Sequence, residues 1–450
     1  MISWLLDEGR CEIMLQHYFS ARIRKHLDSI YERLKERCID TSVLGAVRAY
    51  EAKTPADKEL WTLFCATVNF QMPVISTLNP MLKGLISEIE GRQLKFIDLI
   101  SDEELAGNVL SSFKWQSKSK VGFKHRFLKI SRILCLFNSL ADILANWKSL
   151  GNIVRAIYSE SLSKNSEEPM EHTIKNLAKI LRSGKCPNYC NTPTPKSRYT
   201  CTYFSRLIPN PERNSSMKRL CLFFRWMVRP YPDLGLWTFI DKAHLLTSVD
   251  VGIIRSVNRA FKANIRTPTW NAALKITKIF RQIDERDPTK YDYVLSRPAI
   301  MGYCTKDYSK AKCYCCPLNE ICKSAHQPII VKSKPIRSKT EHLMFEKFLE
   351  YAKRELKAKF DNIITEYPIN HHSIDAVLHE TNCNWWIIEV ESGKLQYEGI
   401  GRAILYRRLF RKIMKVEPKV IIICQTASQE YKEACEVDLG IKVLALNEIK

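Results

Sequence analysis

Asn214-Ser-Ser-Met-Lys-Arg-Leu-Cys-Leu-Phe-Phe-Arg-Trp-Met-Val-Arg229 repeats its apolar residues at three- and four-residue intervals. That period predicts a helix with one buried face, carrying Phe223 and Trp226 at core spacing. Ser215 or Ser216 can cap its start, which places Lys218 in the first turn. Partial positive charge from the backbone amides, together with a crowded apolar surround, favours a neutral amine able to act as a nucleophile.

In Ser248-Val-Asp-Val-Gly-Ile-Ile-Arg-Ser-Val-Asn-Arg259, Asp250, thirty-two residues beyond Lys218, is placed to cap a second helix. Ile253, Ile254 and Val257 form its apolar stripe. A capping Asp250 sits beside partial positive charge and stays ionised, a state suited to face a cation-like sugar. Taken alone, a first-turn lysine is usually solvated and a capping aspartate often only caps.

The same helical grammar extends from the start of the chain to about residue 300, in Ala21–Cys38, Met81–Ile89 and Phe127–Asn146. Lys185–Pro211 is rich in Pro, Asn, Thr and Tyr and reads as a loop. The basic, proline-broken run Gln327–Lys339 reads as a linker. Beyond it a helix over Glu341–Phe360 precedes short β-branched and aromatic runs at Ile374–Leu378, Trp385–Glu391, Val420–Cys424 and Val443–Leu446, the pattern of an α/β domain.

The chain has 450 residues, 45% of them hydrophobic, enough for more than one core. Lys and Arg number 70 against 48 Asp and Glu, a formal charge of +22, and such a field attracts polyanions. Charge alone does not separate DNA from RNA. No segment is long and apolar enough to span a bilayer. The first residues carry acids and no basic flank before an apolar run, so a signal peptide is not expected.

Of 16 cysteines, five crowd into Cys304–Cys322. Cys304-x8-Cys313-x2-Cys316-x5-Cys322, with Cys315 extra, can enclose a [4Fe–4S] cluster or a tetrahedral zinc. Lys306, Lys310, Lys312 and Lys323 surround it with positive charge. Cys186, Cys190 and Cys201 lack a fourth partner nearby and read as thiols.

In the C-terminal part, Asp375 lies in one short strand. Alternation along Trp385-Trp-Ile-Ile-Glu-Val-Glu391 puts Glu389 and Glu391 on one face and Val390 on the other. Carboxylates so gathered repel unless a divalent cation lies between them, and Mg²⁺ prefers such oxygens. His371-His372 read as a surface pair.

Several of these stretches resemble known families. Lys218–Arg229, Asp233-Leu-Gly-Leu-Trp237, Asp287-Pro-Thr-Lys-Tyr-Asp292 and Phe123-Lys-His-Arg-Phe127 resemble an uncharacterised prokaryotic family. That family is related to archaeal 8-oxoguanine DNA glycosylases of the helix-hairpin-helix superfamily, and the resemblance spans about Ala56 to Cys304. Asp250 resembles the aspartate of the superfamily's Val-Asp-Thr-His-Val, with Val251-Gly252 in place of Thr-His; no Leu-Pro-Gly-Val-Gly hairpin is present. Cys316-Pro-Leu-Asn-Glu-Ile-Cys322 resembles the iron–sulfur loop of endonuclease III, although the first gap is longer than the usual six. There the cluster is structural and holds a basic loop against the DNA backbone. Residues Glu341 to Leu446 resemble PD-(D/E)xK nucleases. Asp375 and Glu389 match the metal-binding acids, and Glu346 can join them. Glu391 stands where a lysine is usual, so Lys394 is the residue that can supply the charge. Arg402 stands where the family has glutamine.

The resemblances imply a multidomain chain. It has a helical extension over 1–50, a mainly α helix-hairpin-helix glycosylase-like domain over 51–303 and a four-cysteine iron–sulfur loop over 304–326. A linker over 327–339 leads to an α/β PD-(D/E)xK nuclease-like domain over 340–450. They imply a base-excision DNA glycosylase/AP lyase, in which Lys218 forms a Schiff base and Asp250 stabilises charge. Phe123, Phe127 or Trp226 either stack on the extruded base or belong to the core. Asp375, Glu389, Glu391 and Lys394 form the second site, active with Mg²⁺ or degenerate. The cofactor is a [4Fe–4S] cluster, or zinc, on Cys304, Cys313, Cys316 and Cys322. The partner is damaged or abasic duplex DNA, and the location cytoplasmic, at the nucleoid. Two rivals stay open, a structure-specific DNA endonuclease and a non-catalytic DNA-binding protein.

Overall fold

The computed structural model describes residues 3–116, 120–164, 166–183, 201, 204–308, 311–313, 316–325, 336, 338–380, 384–414 and 416–449. The chain divides into two compact units. One comprises residues 1–311 with 316–324, and the other 312–315 with 325–450. The sequence loop at Lys185–Pro211, Cys315, Lys310 and the linker fall largely outside the described residues. No helix among the described residues is long and apolar enough to cross a membrane.

The first unit is helical. Its leading helices are α1 (Ser3–Thr41), α2 (Leu44–Ala49), α3 (Pro55–Val68), α4 (Asn79–Gly91), α5 (Phe96–Ser101) and α6 (Glu103–Ser112). There follow α7 (Ile130–Trp147), α8 (Leu150–Ser163), α9 (Pro169–Arg182), α10 (Lys218–Val228), α11 (Val251–Phe261), α12 (Trp270–Arg281) and α13 (Asp292–Ile300). Local chemistry sets several starts. Thr54 caps α3 with Pro55 at its first position, Ser149 caps α8, and Thr269 caps α12.

Two apolar cores lie inside this unit. The first gathers α2 to α10 around Trp61, Phe64, Phe96, Phe137 and Phe224. The second joins Ile23, Leu27 and Ile30 of α1 to Ile253 and Val257 of α11, Ile276 and Phe280 of α12, and Leu318 and Ile321. The N-terminal helix is therefore a wall of a core.

A buried ionic network ties the cores together. Arg225 of α10 and Arg229, just after its end, both bond Asp233, at 3.2 and 2.7 Å. Arg229 also grips Asp287 with Nε at 2.8 Å and Nη2 at 3.0 Å. These side chains are almost wholly shut off from water, so each charge is tolerable only because the others are present. Burial disfavours the charged guanidiniums, but Asp233 and Asp287 more than offset it and hold Arg229 well above its ordinary pKa. The conspicuous Asp233 and Asp287 motifs are thus struts.

The second unit has α14 (Lys339–Arg354), β1 (Phe360–Ile369), β2 (His372–Glu380), β3 (Trp385–Lys394), α15 (Tyr397–Met414), β4 (Lys419–Thr426), α16 (Gln429–Glu433) and β5 (Lys442–Ala445). The strands form one mixed sheet in the order β1-β2-β3-β4-β5. The first three pair antiparallel, and β4 and β5 add in parallel through α15 and α16. One face carries Trp385, Ile387 and Val420 against Ala403 and Phe410 of α15. The other carries Trp386, Ile388 and Val390 against Phe345 and Phe348 of α14.

Two sequence readings are corrected here. Helix α14 stops at Arg354, short of Phe360, and Lys357 adopts a positive φ of 51° before the chain turns into the sheet. Phe360 opens β1, a strand unread in the sequence although Ile363-Ile364-Thr365 has the β-branched composition for one.

Candidate active site

Lys218 is the first residue of α10, as expected, but neither serine caps that helix. Met217 occupies the cap position with φ 46° and no side-chain bond. Ser216 Oγ turns away and donates to Val249 O at 3.2 Å. This bond draws the start of α10 to the residue before Asp250. Asp250 does cap α11, accepting from Ile253 N at 2.9 Å. Its other oxygen, Oδ2, accepts from Lys218 Nζ at 2.7 Å.

Burial works against ionisation of Asp250, but the Lys218 ammonium and the first-turn amides of α11 prevail and hold its carboxyl below the ordinary range. The Lys218 side chain is 38% exposed and paired with a carboxylate, and apolar groups border it only where it lines a hollow. Gly252 leaves room beside the capping oxygen of Asp250. A Cβ there would lie 3.1 Å from both Asp250 Oδ1 and Ala299 Cβ.

The pair stands between two hollows. A deep, mainly apolar one of about 680 Å³ is lined by residues of both cores, among them Met72, Leu222, Trp226, Ile253 and Tyr293. That volume lies within the roughly 300–1,000 Å³ usual for small-ligand pockets. Asp292 and Arg225 also line it, and Asp292 Oδ1 and Arg225 Nε have no hydrogen-bond partner. Burial raises Asp292 to about 7 against the pull of Arg225. A shallower hollow on the other side is lined by Phe70, Gln71, Arg219 and Gly252.

Beside the shallow hollow lies a ladder of rings and cations. Phe70 stacks on Phe127 with centroids 6.4 Å apart and planes at 15°. Arg219 covers Phe70 at 4.5 Å, while Arg126 and Arg206 approach Phe127 at 5.2 and 5.7 Å. His125 Nε2 bonds Val68 O at 3.1 Å and fixes the turn that presents Phe70. Of the three aromatic candidates, Phe123 and Trp226 are core and Phe127 is at the surface.

In the second unit the β2–β3 ladder ends at Ala376↔Ile388, one step short of Asp375 and Glu389. Asp375 Oδ2 accepts from Val390 N at 2.8 Å. Arg402 of α15 bonds Glu389 Oε2 at 3.3 Å and also Glu391 Oε1. Burial raises Asp375 to about 6 and Glu389 to about 8, and in Glu389 the Asp375 charge adds to it. The cation at the acids is Arg402; Lys394 stands exposed at the strand end. Glu346 faces solvent beside His342, while Glu341 is the α14 carboxylate that bears on Asp375.

Among the described residues no three His, Cys, Asp or Glu side chains gather as a metal-binding set. The acids do not fit Mg²⁺ in this arrangement, because one oxygen of each is taken, by Val390 N on Asp375 and by the Arg402 guanidinium on Glu389 and Glu391, and a fixed cation already stands among them. Nor do three of the described cysteines form such a set. Cys304 and the segment Cys316–Lys323 both meet the end of α11, through Arg259 to Cys304 Sγ at 3.2 Å and Lys323 N to Ala260 O at 3.2 Å. His26 of α1 braces the same segment, bonding Pro317 O at 2.8 Å and Glu320 at 3.1 Å. Cys313 is grouped with the other unit.

The profile of one protein family, described as "Protein of unknown function (DUF2400)", matches residues 47–301, more than half of the chain. The chain belongs to the DUF2400 family. The matched span holds Lys218, Asp250, the ion network and the ring ladder of this DUF2400 chain, and excludes the cysteine cluster Cys304–Cys322 and the sheet. No match is found among the curated proteins. Among solved structures, a match is to the crystal structure of a repair endonuclease from Pyrococcus abyssi, at 15% identity and a TM-score of 0.20. It covers 23% of this chain and 46% of that one, a likeness too slight to argue from.

Sequence reasoning missed Phe70, Arg219, Asp292 and the guanidinium role of Arg402. The signals for two of them were local. Arg219 directly follows Lys218, and Phe70 lies in a turn closed by Pro73.

Proposed function

We propose that the helical unit is a DNA glycosylase/AP lyase whose nucleophile is Lys218 and whose electrostatic partner is Asp250. The observation that carries this reading is the Lys218–Asp250 pair between a base-sized apolar hollow and a basic, aromatic surface. A base turned out of the stack enters the deep hollow. Its glycosidic bond breaks with the electron pair leaving on the base, which takes a proton from the Lys218 ammonium. The freed amine then bonds C1′, while the Asp250 carboxylate faces the cationic sugar. Opening of the sugar ring gives the Schiff base that leads to strand cleavage. The +22 charge supplies attraction to the backbone.

Borohydride trapping on abasic-site DNA tests this directly. Wild type should form a covalent adduct and Lys218→Ala none. Equal trapping by the two proteins overturns the assignment.

For the cysteine segment, a [4Fe–4S] cluster with zinc as the alternative is proposed on spacing. When bound, the metal would tie Cys304, Cys313, Cys316 and Cys322 and stiffen a basic loop; it supplies no step of the reaction. For the second unit, a PD-(D/E)xK-like module that holds DNA without cutting it is favoured, because Arg402 pairs with Glu389 and Glu391 where a nuclease of that kind would hold its metal. A nicking assay on wild type with Mg²⁺ or Mn²⁺, which should show no cleavage, tests that reading.

A further inference from the structure

Two acids of the second unit, Glu389 and Glu391, are already paired from within. Arg402 is one guanidinium serving two carboxylates, Nε toward Glu389 Oε2 at 3.3 Å and Nη2 toward Glu391 Oε1. A planar fork suits this double contact, as an ammonium would not. Gly399, three residues earlier on the same helix face, makes it possible. A Cβ there would lie 2.4 Å from Glu391 Oε1, so the missing side chain is the space through which Glu391 reaches α15.

Glu389 is 1% exposed, and its second oxygen, Oε1, is shut off from solvent with no partner. A buried carboxylate oxygen left unpaired is costly, and a second cation beside it would remove that cost. Arg402 reaches only Oε2. Asp375 contributes one oxygen to the backbone of β3 and has a second at the same strand end. A divalent ion takes oxygen ligands from several directions at roughly 2.0–2.6 Å, which a guanidinium at 3.3 Å does not replace.

We propose that Arg402 holds the place of a divalent cation, and that Asp375, Glu389 and Glu391 form a latent metal site which opens only when its guanidinium is removed. The unit as it stands is closed to Mg²⁺ and Mn²⁺ at these acids. This is independent of the lyase reading of the helical unit.

The test is Mn²⁺ binding to the full chain, read as the loss of the free-ion paramagnetic signal. Arg402→Gln should take up one more Mn²⁺ than wild type, with affinity at least about tenfold higher, and Arg402→Gln/Glu389→Gln should lose it again. A folded Arg402→Gln that binds no additional Mn²⁺ overturns the proposal. A second comparison avoids dependence on that variant's folding: with Arg402 in place, Glu389→Gln should leave Mn²⁺ uptake unchanged. If it lowers uptake, the site is already open and the proposal fails.

Discussion

Lys218 Nζ and Asp250 Oδ2 meet at 2.7 Å, and the same carboxylate caps α11 through its other oxygen. One side chain therefore starts a helix and holds the charge of the candidate nucleophile. The two tasks are separable by substitution. Asp250→Ser keeps an N-cap and should leave stability within a few tenths of a kcal/mol, whereas Asp250→Ala should lose about 1 kcal/mol. Both should depress Schiff-base formation by roughly a hundredfold or more, the scale of a lost charge-stabilising group. Chemical denaturation and trapping rates on the same preparations check it.

The ion network predicts a different failure. Arg229→Met leaves Asp233 and Asp287 buried with fewer partners and should cost about 3–5 kcal/mol. The triple replacement of Arg229, Asp233 and Asp287 by apolar residues of similar volume should cost less than the single change. Urea unfolding followed by helical circular dichroism measures both, and a harmless Arg229→Met would remove the network from the account.

The ring ladder separates binding from stability. Phe127→Ala removes a ring 36% exposed and should weaken single-stranded DNA binding by about 1–3 kcal/mol with little change in melting. Phe123→Ala, in the core, should instead destabilise the protein by about 3–5 kcal/mol. Fluorescence anisotropy and thermal melting should give opposite orderings for the two variants.

Asp292 gives a pH signature. Its pKa rises to about 7 on folding because it is buried, despite Arg225. Between the unfolded value near 4 and about 7, the folded state binds the extra proton. Its contribution to stability is therefore full below about pH 4 and is lost as pH rises through about 7. Asp292→Asn should flatten the stability profile of the full chain across that window. An unchanged slope would show that Arg225 keeps the carboxylate charged.

A metal assay on anaerobically purified protein addresses the cysteines. Iron with sulfide, or zinc, should be present in wild type and fall in Cys316→Ala and Cys322→Ala. Metal at wild-type levels in both variants would place it elsewhere.

Legibility in the sequence followed the range of the interaction. The cap and stripe of α11 are local, and Asp250, Ile253 and Val257 were readable from a dozen residues. The alternation of Glu389 and Glu391 about Val390 was readable for the same reason. Met217 replacing the serines at the cap was not, because Ser216 is drawn off by Val249, thirty-three residues away. The ladder of Phe70 and Phe127, and the use of Arg402 where Lys394 was expected, depend on elements brought together only by the folded chain. The Asp233 and Asp287 motifs were visible as motifs, but their role as struts needed the burial of Arg229.

The second core also sets an order of assembly. It takes one wall from α1, at the start of the chain, and the rest from residues 249–321. The first core draws mainly on residues 38–246 and can close while its neighbour still lacks most of its wall. During synthesis α1 must wait for the later helices before its apolar face is covered. The Lys218–Asp250 pair spans both cores, so the candidate nucleophile meets its partner only when the helical unit is nearly complete. A truncated or stalled chain would carry the lysine without the carboxylate that holds it.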